Sequence, residues 1–133
     1  GEAEFKKQLS GVNGELKNLN SDMKLVTEQF KGQANSLDAL TAKDRILTEQ
    51  VEQQTEKVRA LEEALGQAAE AYGENDKRVD NYHRSLNEAR TQLIRMQREL
   101  QERKKSRRMP REKVPLRLRE AVQSIFSLCF LLN

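Results

Sequence analysis

The chain has 133 residues, of which 36% are hydrophobic, 34% are charged and only 5% are aromatic. This composition argues against a compact globular core, because such a core needs more large apolar side chains at this length. A disordered chain would scatter its few apolar residues, whereas here they are periodic. The composition therefore indicates an extended helical protein of the all-α class.

The net charge of +3 is divided unevenly along the chain. Residues 1–102 carry 15 Lys+Arg and 19 Asp+Glu, a net charge of −4, whereas residues 103–133 carry 9 and 2, a net charge of +7. The basic character thus belongs to the tail and does not indicate nucleic-acid binding by the whole chain. We accordingly divide the chain into a heptad-repeat region, residues 1–102, and a basic then apolar tail, residues 103–133.

Apolar residues recur through the first region at alternating steps of four and three. From Phe5 to Leu100 the repeat has 28 positions, of which four are polar (Gln33, Asp44, Gln54 and Asn75). Such a repeat keeps one stripe of a helix facing a partner helix and predicts elongated coiled-coil helices. The predicted seam consists of Phe5, Leu9, Val12, Leu16, Leu19, Met23, Val26, Phe30, Leu37, Leu40, Leu47, Val51, Val58, Leu61, Leu65, Tyr72, Val79, Tyr82, Leu86, Leu93, Met96 and Leu100.

Two short segments are expected to interrupt the helix, near residues 32–36 and 73–76. In the first, Asn35 or Ser36 can cap the helix that resumes after it. In the second, a glycine precedes Asn75, which we predict to be the next cap. Two architectures follow: helices at 37–72 and 77–105 fold back as an antiparallel hairpin, or the unbroken heptad phase continues as one long rod.

The tail has a different kind of sequence. Pro110 and Pro115 prevent a regular helix through its basic run. The apolar stretch that follows, residues 121–132, is shorter than the ~20 residues of a membrane-spanning helix. We predict an irregular tail that is either disordered or non-native, as after a shifted reading frame. Weak membrane attachment is an alternative that the sequence does not favour.

The sequence offers no residue set for catalysis. His83 is the only histidine and Cys129 the only cysteine, and the carboxylates are spread along helix faces. The prediction is therefore a structural protein, not an enzyme, with no cofactor, no metal and no specific nucleic acid. We expect Gln33 and Asn75 to lie in loops. For Asp44 and Gln54 a role in setting helix register remains open.

Several stretches of the first region resemble the N-terminal region of tail tape measure proteins of phages and prophages from Gram-positive hosts. These stretches are residues 15–19, 30–43, 57–62, 71–75 and 86–89 together with Leu93. Beyond a general heptad, the two turn sequences recur at the same spacing.

The resemblance implies a ruler, a long helical protein around which the tail tube polymerises. Its residue count would set tube length, because a helix rises ~1.5 Å per residue. The implied partners are further copies of the ruler, tube proteins and assembly chaperones. The implied location is the bacterial cytoplasm during assembly and then the virion tail. Family members are many hundreds of residues long, so the resemblance implies a truncated opening segment.

Overall fold

The computed structural model describes residues 2–107, which form three α-helices joined by two turns. α1 is Glu2–Gln29, α2 is Leu37–Tyr72 and α3 is Lys77–Arg107, and no strand occurs among the described residues. The predicted all-α class is confirmed. Residues Gly1–Gln101 form one compact unit and Glu102–Asn133 belong to a second, and the helix contacts discussed below lie within the first.

The first turn, residues 30–36, ends α1 and begins α2. Gly32 has a φ of 86°, a left-handed conformation that side chains rarely adopt. The Gln33 N–H donates to the Phe30 carbonyl at 2.8 Å, and the Ser36 N–H donates to the Gln33 carbonyl at 3.0 Å. Of the two predicted caps, Ser36 takes the role, because its Oγ accepts from the Ala39 N–H at 3.2 Å.

The second turn, residues 73–76, differs from the prediction in the residue that caps α3. Gly73 closes α2 with a φ of 88° and donates its N–H to the Ala69 carbonyl at 3.0 Å. The prediction that Asn75 caps α3 is wrong, since Asp76 directly precedes the helix and accepts from the Arg78 N–H at 2.8 Å. A carboxylate at this position also interacts favourably with the positive end of the helix dipole.

Replacing glycine with alanine is expected to stabilise the protein in α1 and to destabilise it in the second turn. A Cβ built at Gly11 or Gly14 in α1 meets nothing within 4 Å. Each Gly→Ala change there should raise the free energy of unfolding by about 0.5–1 kcal/mol, because alanine loses less backbone entropy on entering a helix. Denaturant unfolding followed by circular dichroism measures this change.

Gly73 provides the matched control for these substitutions. Its Cβ also meets nothing within 4 Å, but its φ of 88° disfavours any side chain. Gly73→Ala should lower the free energy of unfolding by about 1–2 kcal/mol. Stabilisation by Gly73→Ala, or destabilisation by both α1 substitutions, would contradict the helix and turn assignments.

α2 and α3 run antiparallel, as in the hairpin alternative. Gln54 Nε2 donates to the Ala89 carbonyl at 2.9 Å, and near the turn the Arg78 guanidinium lies over the Tyr72 ring, 3.3 Å from its centroid. Residue numbers therefore rise along one helix as they fall along the other. The single long rod is not the fold of this chain, because both turns reverse its direction.

α1 adds a third helix that the hairpin alternative did not include. It runs antiparallel to α2, where Gln50 Nε2 donates to Asn20 Oδ1 at 2.9 Å. It lies alongside α3 with the Phe5 and Tyr82 rings in an edge-to-face contact, their centroids 5.7 Å apart. The described unit is thus a three-helix bundle that runs up, down and up.

α2 has the broadest interior face, because it packs against a helix on each of two sides. Its buried residues are Ala39, Ile46, Leu47, Gln50, Gln54, Val58, Ala60, Leu61, Ala64 and Ala68. In α1 only Val12 and Leu19 are fully buried. The expectation of no compact core is therefore wrong: α2 supplies alanines where helices approach closely, and the bundle closes with few large side chains.

α3 continues to Arg107, past residue 102, where the heptad region was predicted to end. Arginine and lysine are good helix formers, and the first proline comes only at Pro110. The predictions of an irregular tail and of weak membrane attachment fall mainly on residues 108–133, outside the described residues. None of the described helices is long and apolar enough to cross a lipid bilayer.

Candidate functional site: the bundle interior

The bundle interior is the candidate site, because the predicted seam residues converge there. Twenty of the 22 are buried or half-buried. The fully buried ones are Val12, Leu19, Leu47, Val58, Leu61, Val79 and Leu86. The half-buried ones are Phe5, Leu9, Leu16, Met23, Val26, Phe30, Leu40, Val51, Leu65, Tyr82, Leu93, Met96 and Leu100. The helices thus face each other with this stripe, while coiled-coil interlocking of the side chains stays a prediction.

Two predicted seam residues lie outside the interior. Leu37 is 72% exposed and Tyr72 is 42% exposed. They are the first and last residues of α2, where the turns lead the chain away and the neighbouring helices no longer cover the stripe. The Arg78 guanidinium instead lies over the Tyr72 ring and forms a cation–π contact at the surface.

One buried apolar cluster joins all three helices. Val58 and Leu61 of α2 and Leu86 and Ala89 of α3 form a buried cluster. Phe5, Leu65, Tyr82 and Leu93 pack around this cluster. Burial raises the pKa of Tyr82, since the surrounding side chains exclude the water that a phenolate needs.

Polar side chains inside the bundle join α2 to each neighbour. Gln50, 6% exposed, is bonded to Asn20 of α1, and Gln54, 3% exposed, is bonded to the Ala89 carbonyl of α3. Each bond exists at one relative position of its two helices, because a shift along the axis leaves a buried amide unsatisfied. The two glutamines thus help to fix helix register, the role left open for Gln54.

The other polar positions of the repeat have different surroundings. Gln33 and Asn75 lie exposed in the two turns. Asp44 is half-buried in α2, where its backbone carbonyl accepts from the Thr48 hydroxyl at 2.8 Å. At the surface, Arg90 of α3 reaches Glu62 of α2 at 3.0 Å, with both side chains about half exposed.

The interior leaves an open cleft between the helices. It has a volume of about 350 Å³ and is lined by Leu9 and Asn13 of α1, by Gln54, Lys57 and Leu61 of α2, and by Ser85, Glu88, Ala89 and Gln92 of α3. The lining mixes apolar and polar groups and suits water. The cleft opens to the surface between α1 and α3, since Ser85, Glu88 and Gln92 are exposed.

Sequence reasoning missed Gln50, Asn20 and the capping role of Asp76. A signal for Gln50 exists, because α2 carries a second 4–3 stripe one residue ahead of the first. Its members include Ala39, Ile46, Gln50, Ala60 and Ala64, all of them buried. The equivalent positions of α1 and α3 are mostly polar, as expected for helices with a narrower buried face.

Residues 2–107 contain no group of three or more His, Cys, Asp or Glu arranged to hold a metal ion. His83 is exposed on α3, and Cys129 lies outside the described residues. The interior contacts of the described helices serve to hold those helices together.

The turn before α3 has the strongest local electrostatics. The Asp76 carboxylate accepts two hydrogen bonds from the Arg78 guanidinium, one from Nε at 2.9 Å and one from Nη2 at 3.0 Å. These side-chain bonds, with the bond from the Arg78 backbone, lower the pKa of Asp76 from 3.8 to about 2. The ionised carboxylate therefore stabilises the turn over most of the pH scale.

The lowered pKa of Asp76 predicts a specific pH dependence. The stabilisation is fully present above about pH 4 and is lost as the pH falls through the folded-state pKa of about 2. The melting temperature of the wild type should exceed that of Asp76→Asn by a constant amount above pH 4. This difference should shrink between pH 4 and pH 2.

An Arg78→Ala background is the control for this pH effect, because it removes the guanidinium that bonds to Asp76. The comparison is between the single variant Arg78→Ala and the double variant that also carries Asp76→Asn. The difference in melting temperature between these two should depend on pH much more weakly between pH 4 and pH 2. A wild-type difference that stays constant down to pH 2 would contradict the assigned ion pair.

Comparison with known proteins found no matching family model, no matching curated protein and no matching solved structure.

Proposed function

We propose that this chain is a structural segment of a phage tail tape measure protein and acts as a helical spacer in tail assembly. The observation that carries the proposal is the resemblance of residues 5–100 to the N-terminal region of such proteins, where heptads and turn sequences recur together. Long helices support it, because α1, α2 and α3 have 28, 36 and 31 residues.

The bundle sets two lengths that such a spacer can have. As folded, its longest helix spans about 54 Å, since 36 residues each rise ~1.5 Å. With both turns helical, residues 2–107 would span about 160 Å at the same rise. A ruler that acts in the extended form would therefore unfold its bundle when the tube assembles around it.

The proposed partners are the tail tube proteins, the assembly chaperones and further copies of the chain. Assembly would occur in the bacterial cytoplasm, and the product would be the virion tail. In the extended form the apolar stripe would pair copies of the chain, and the charged outer faces of the helices would meet the tube proteins and chaperones. This role needs neither a cofactor nor a catalytic residue.

Tail length tests the proposal in the genome that encodes this chain. An in-frame deletion of residues 37–71 removes five heptads and keeps the heptad phase. Tails measured by electron microscopy should become about 50 Å shorter, and tails from a duplication of the same residues about 50 Å longer. A length-neutral variant, Gln97→Ala, should leave tail length unchanged. Unchanged tails after both the deletion and the duplication would overturn the proposal.

A general helical scaffold without a phage role is the second candidate. It is favoured by the closure of the bundle, which buries most of the heptad stripe within one chain. The same tail-length experiment separates the two functions, because a general scaffold has no effect on tail length. A scaffold would instead depend on the folded bundle, and variants that unfold it would abolish partner binding.

A further inference from the structure

The heptad phase passes through both turns without a shift. Phe30 and Leu37 flank the first turn and are seven residues apart, as are Tyr72 and Val79 around the second. A turn between antiparallel helices does not require this, because each helix of a bundle can rotate about its own axis. Only about one turn length in seven preserves the phase. Preserved phase is a requirement of one continuous helix.

Leu37 is the second observation. It occupies a seam position, yet it is 72% exposed, the most exposed large hydrophobic residue among those described. If residues 30–36 were helical, Leu37 would lie on one stripe with Phe30 and Leu40 and would need a partner helix to cover it. None of the three described helices covers Leu37, since the chain reverses at this point.

The two turns differ in how firmly they are held. Around residues 73–76, Asp76 accepts two side-chain bonds from Arg78, and the same guanidinium covers the Tyr72 ring. The 30–36 turn has backbone bonds, the Ser36 cap and an exposed Lys31–Glu28 pair at 3.6 Å. Both ion pairs lie at the surface, but the longer and singly bonded Lys31–Glu28 pair is the weaker of the two. The first proline is Pro110, so a helix through residues 30–36 would keep its backbone hydrogen bonds.

α1 has fewer fully buried side chains than α2 or the described part of α3. Only Val12 and Leu19 are fully buried in it, and Gly11 and Gly14 lower its helix propensity. The cleft of about 350 Å³ lies along Leu9, where α1 faces α3. The hinge with the weaker side-chain bonds therefore connects to the helix that has the fewest fully buried side chains among the described residues.

From these observations we propose that the chain exchanges α1 with a second copy of itself. In the dimer, residues 30–36 become helical and Glu2–Tyr72 form one continuous helix of about 107 Å. α1 of each copy packs against α2 and α3 of the other copy.

The exchanged dimer reuses the contacts of the monomer. The bond from Gln50 to Asn20 forms between copies with the same geometry, and so do the apolar contacts of α1. At the centre, where the two long helices cross antiparallel, Leu37 of one copy lies against Gln33 of the other. This new layer covers the leucine that the monomer exposes.

A hinge variant of the full chain tests the proposal. Gly32→Ala combined with Ser36→Ala removes the residue with positive φ and the helix cap, which favours a helical hinge. Light scattering coupled to gel filtration should show a dimer dissociation constant lower than that of the wild type by on the order of tenfold or more. A helical variant, verified by circular dichroism, that stays monomeric at every concentration where the wild type is soluble would overturn the proposal.

Insertions after Ala34 in this background test the heptad phase. Two helix-favouring residues rotate α1 by about 200° relative to α2, whereas seven restore the phase. The seven-residue insertion should retain the dimer and the two-residue insertion should abolish it. The entropy of a flexible loop varies smoothly with its length, so it cannot make the longer insertion dimerise and the shorter one stay monomeric. Equal dimerisation by both insertions would contradict a continuous helix.

A thiol crosslinker determines whether any dimer has exchanged α1. Asn20→Cys and Gln50→Cys place cysteines at the two ends of the α1–α2 hydrogen bond, and Cys129→Ser removes the native thiol. A bismaleimide is used because two hydrogen-bonded long side chains can hold their Cα atoms farther apart than the ~7 Å that a disulfide spans. Crosslinking of the exchanged dimer links two chains and gives a covalent dimer on a denaturing gel, whereas crosslinking of the monomer joins two points of one chain. A dimer in solution that yields only monomers on the gel pairs in some other way and overturns the exchange.

Discussion

Replacing Leu47 with alanine is expected to lower the free energy of unfolding by about 2–5 kcal/mol. Leu47 is 2% exposed and is one of the two largest fully buried side chains among the described residues. The substitution loses apolar burial and leaves a cavity that the helix backbones cannot close. A domain of this size has a total stability of only about 5–15 kcal/mol, so the variant should lose a large fraction of its stability at 25 °C.

Ile94→Ala is the matched control for Leu47→Ala. This substitution removes a side chain of similar size from α3, but Ile94 is 52% exposed. Its effect should remain within about 0.5 kcal/mol or slightly above, because most of that side chain already contacts water. Urea unfolding of both variants gives the comparison. Equal losses of unfolding free energy in the two variants would contradict the assignment of Leu47 to the bundle interior.

Gln54→Ala is expected to lower the free energy of unfolding by about 1–3 kcal/mol. The change removes the bond from Gln54 to the Ala89 carbonyl, in a position that is 3% exposed, and leaves space beside the open cleft. The loss should exceed that of an exposed glutamine because Gln54 is almost fully buried and its truncation removes both a bond to α3 and buried packing.

Gln97→Ala provides the control for Gln54→Ala. Gln97 is exposed on α3, so its truncation should change stability by less than about 0.5 kcal/mol. Chemical unfolding of the two variants at one pH gives the comparison. A neutral Gln54→Ala would show that the buried amide bond does not hold α2 against α3.

The heptad and the turn residues predicted the helices well, for local reasons. Gly32 and Gly73 adopt the positive φ that their lack of a side chain permits, and Ser36 caps α2 with its hydroxyl. Such signals act over a few residues and can be read from the chain. Asn75 was the error, because both it and Asp76 are good caps and only the geometry of the turn decides between them.

The number of packed helices could not be derived from the first stripe alone. A 4–3 repeat shows that a helix has a partner, but a partner in the same chain and one in another chain satisfy it equally. The second stripe of α2 was the overlooked signal, since Ile46, Ala60 and Ala64 repeat at the same steps. A helix with two such stripes needs neighbours on two sides, which α1 and α3 supply.

The interior site was predicted as a stripe and not as a set of contacts. The apolar positions of the stripe follow from periodicity, because burial is the common requirement of its members. The bond between Gln50 and Asn20 joins residues 30 positions apart, and it depends on the register of two helices. The exposure of Leu37 likewise depends on where the chain reverses. The heptad phase continues unbroken through the turn and therefore does not indicate this reversal.

The distance between α1 and α3 within one chain tests the three-helix bundle most directly. Spin labels at Lys17→Cys and Ile94→Cys, in a Cys129→Ser chain, occupy exposed positions at a similar level of the two helices. Pulsed electron paramagnetic resonance on labelled chains diluted with unlabelled ones should give on the order of 10–25 Å, because neighbouring helix axes lie about 8–10 Å apart. A distance near ~115 Å, roughly the rise of 77 helical residues, would contradict the bundle and restore the rod.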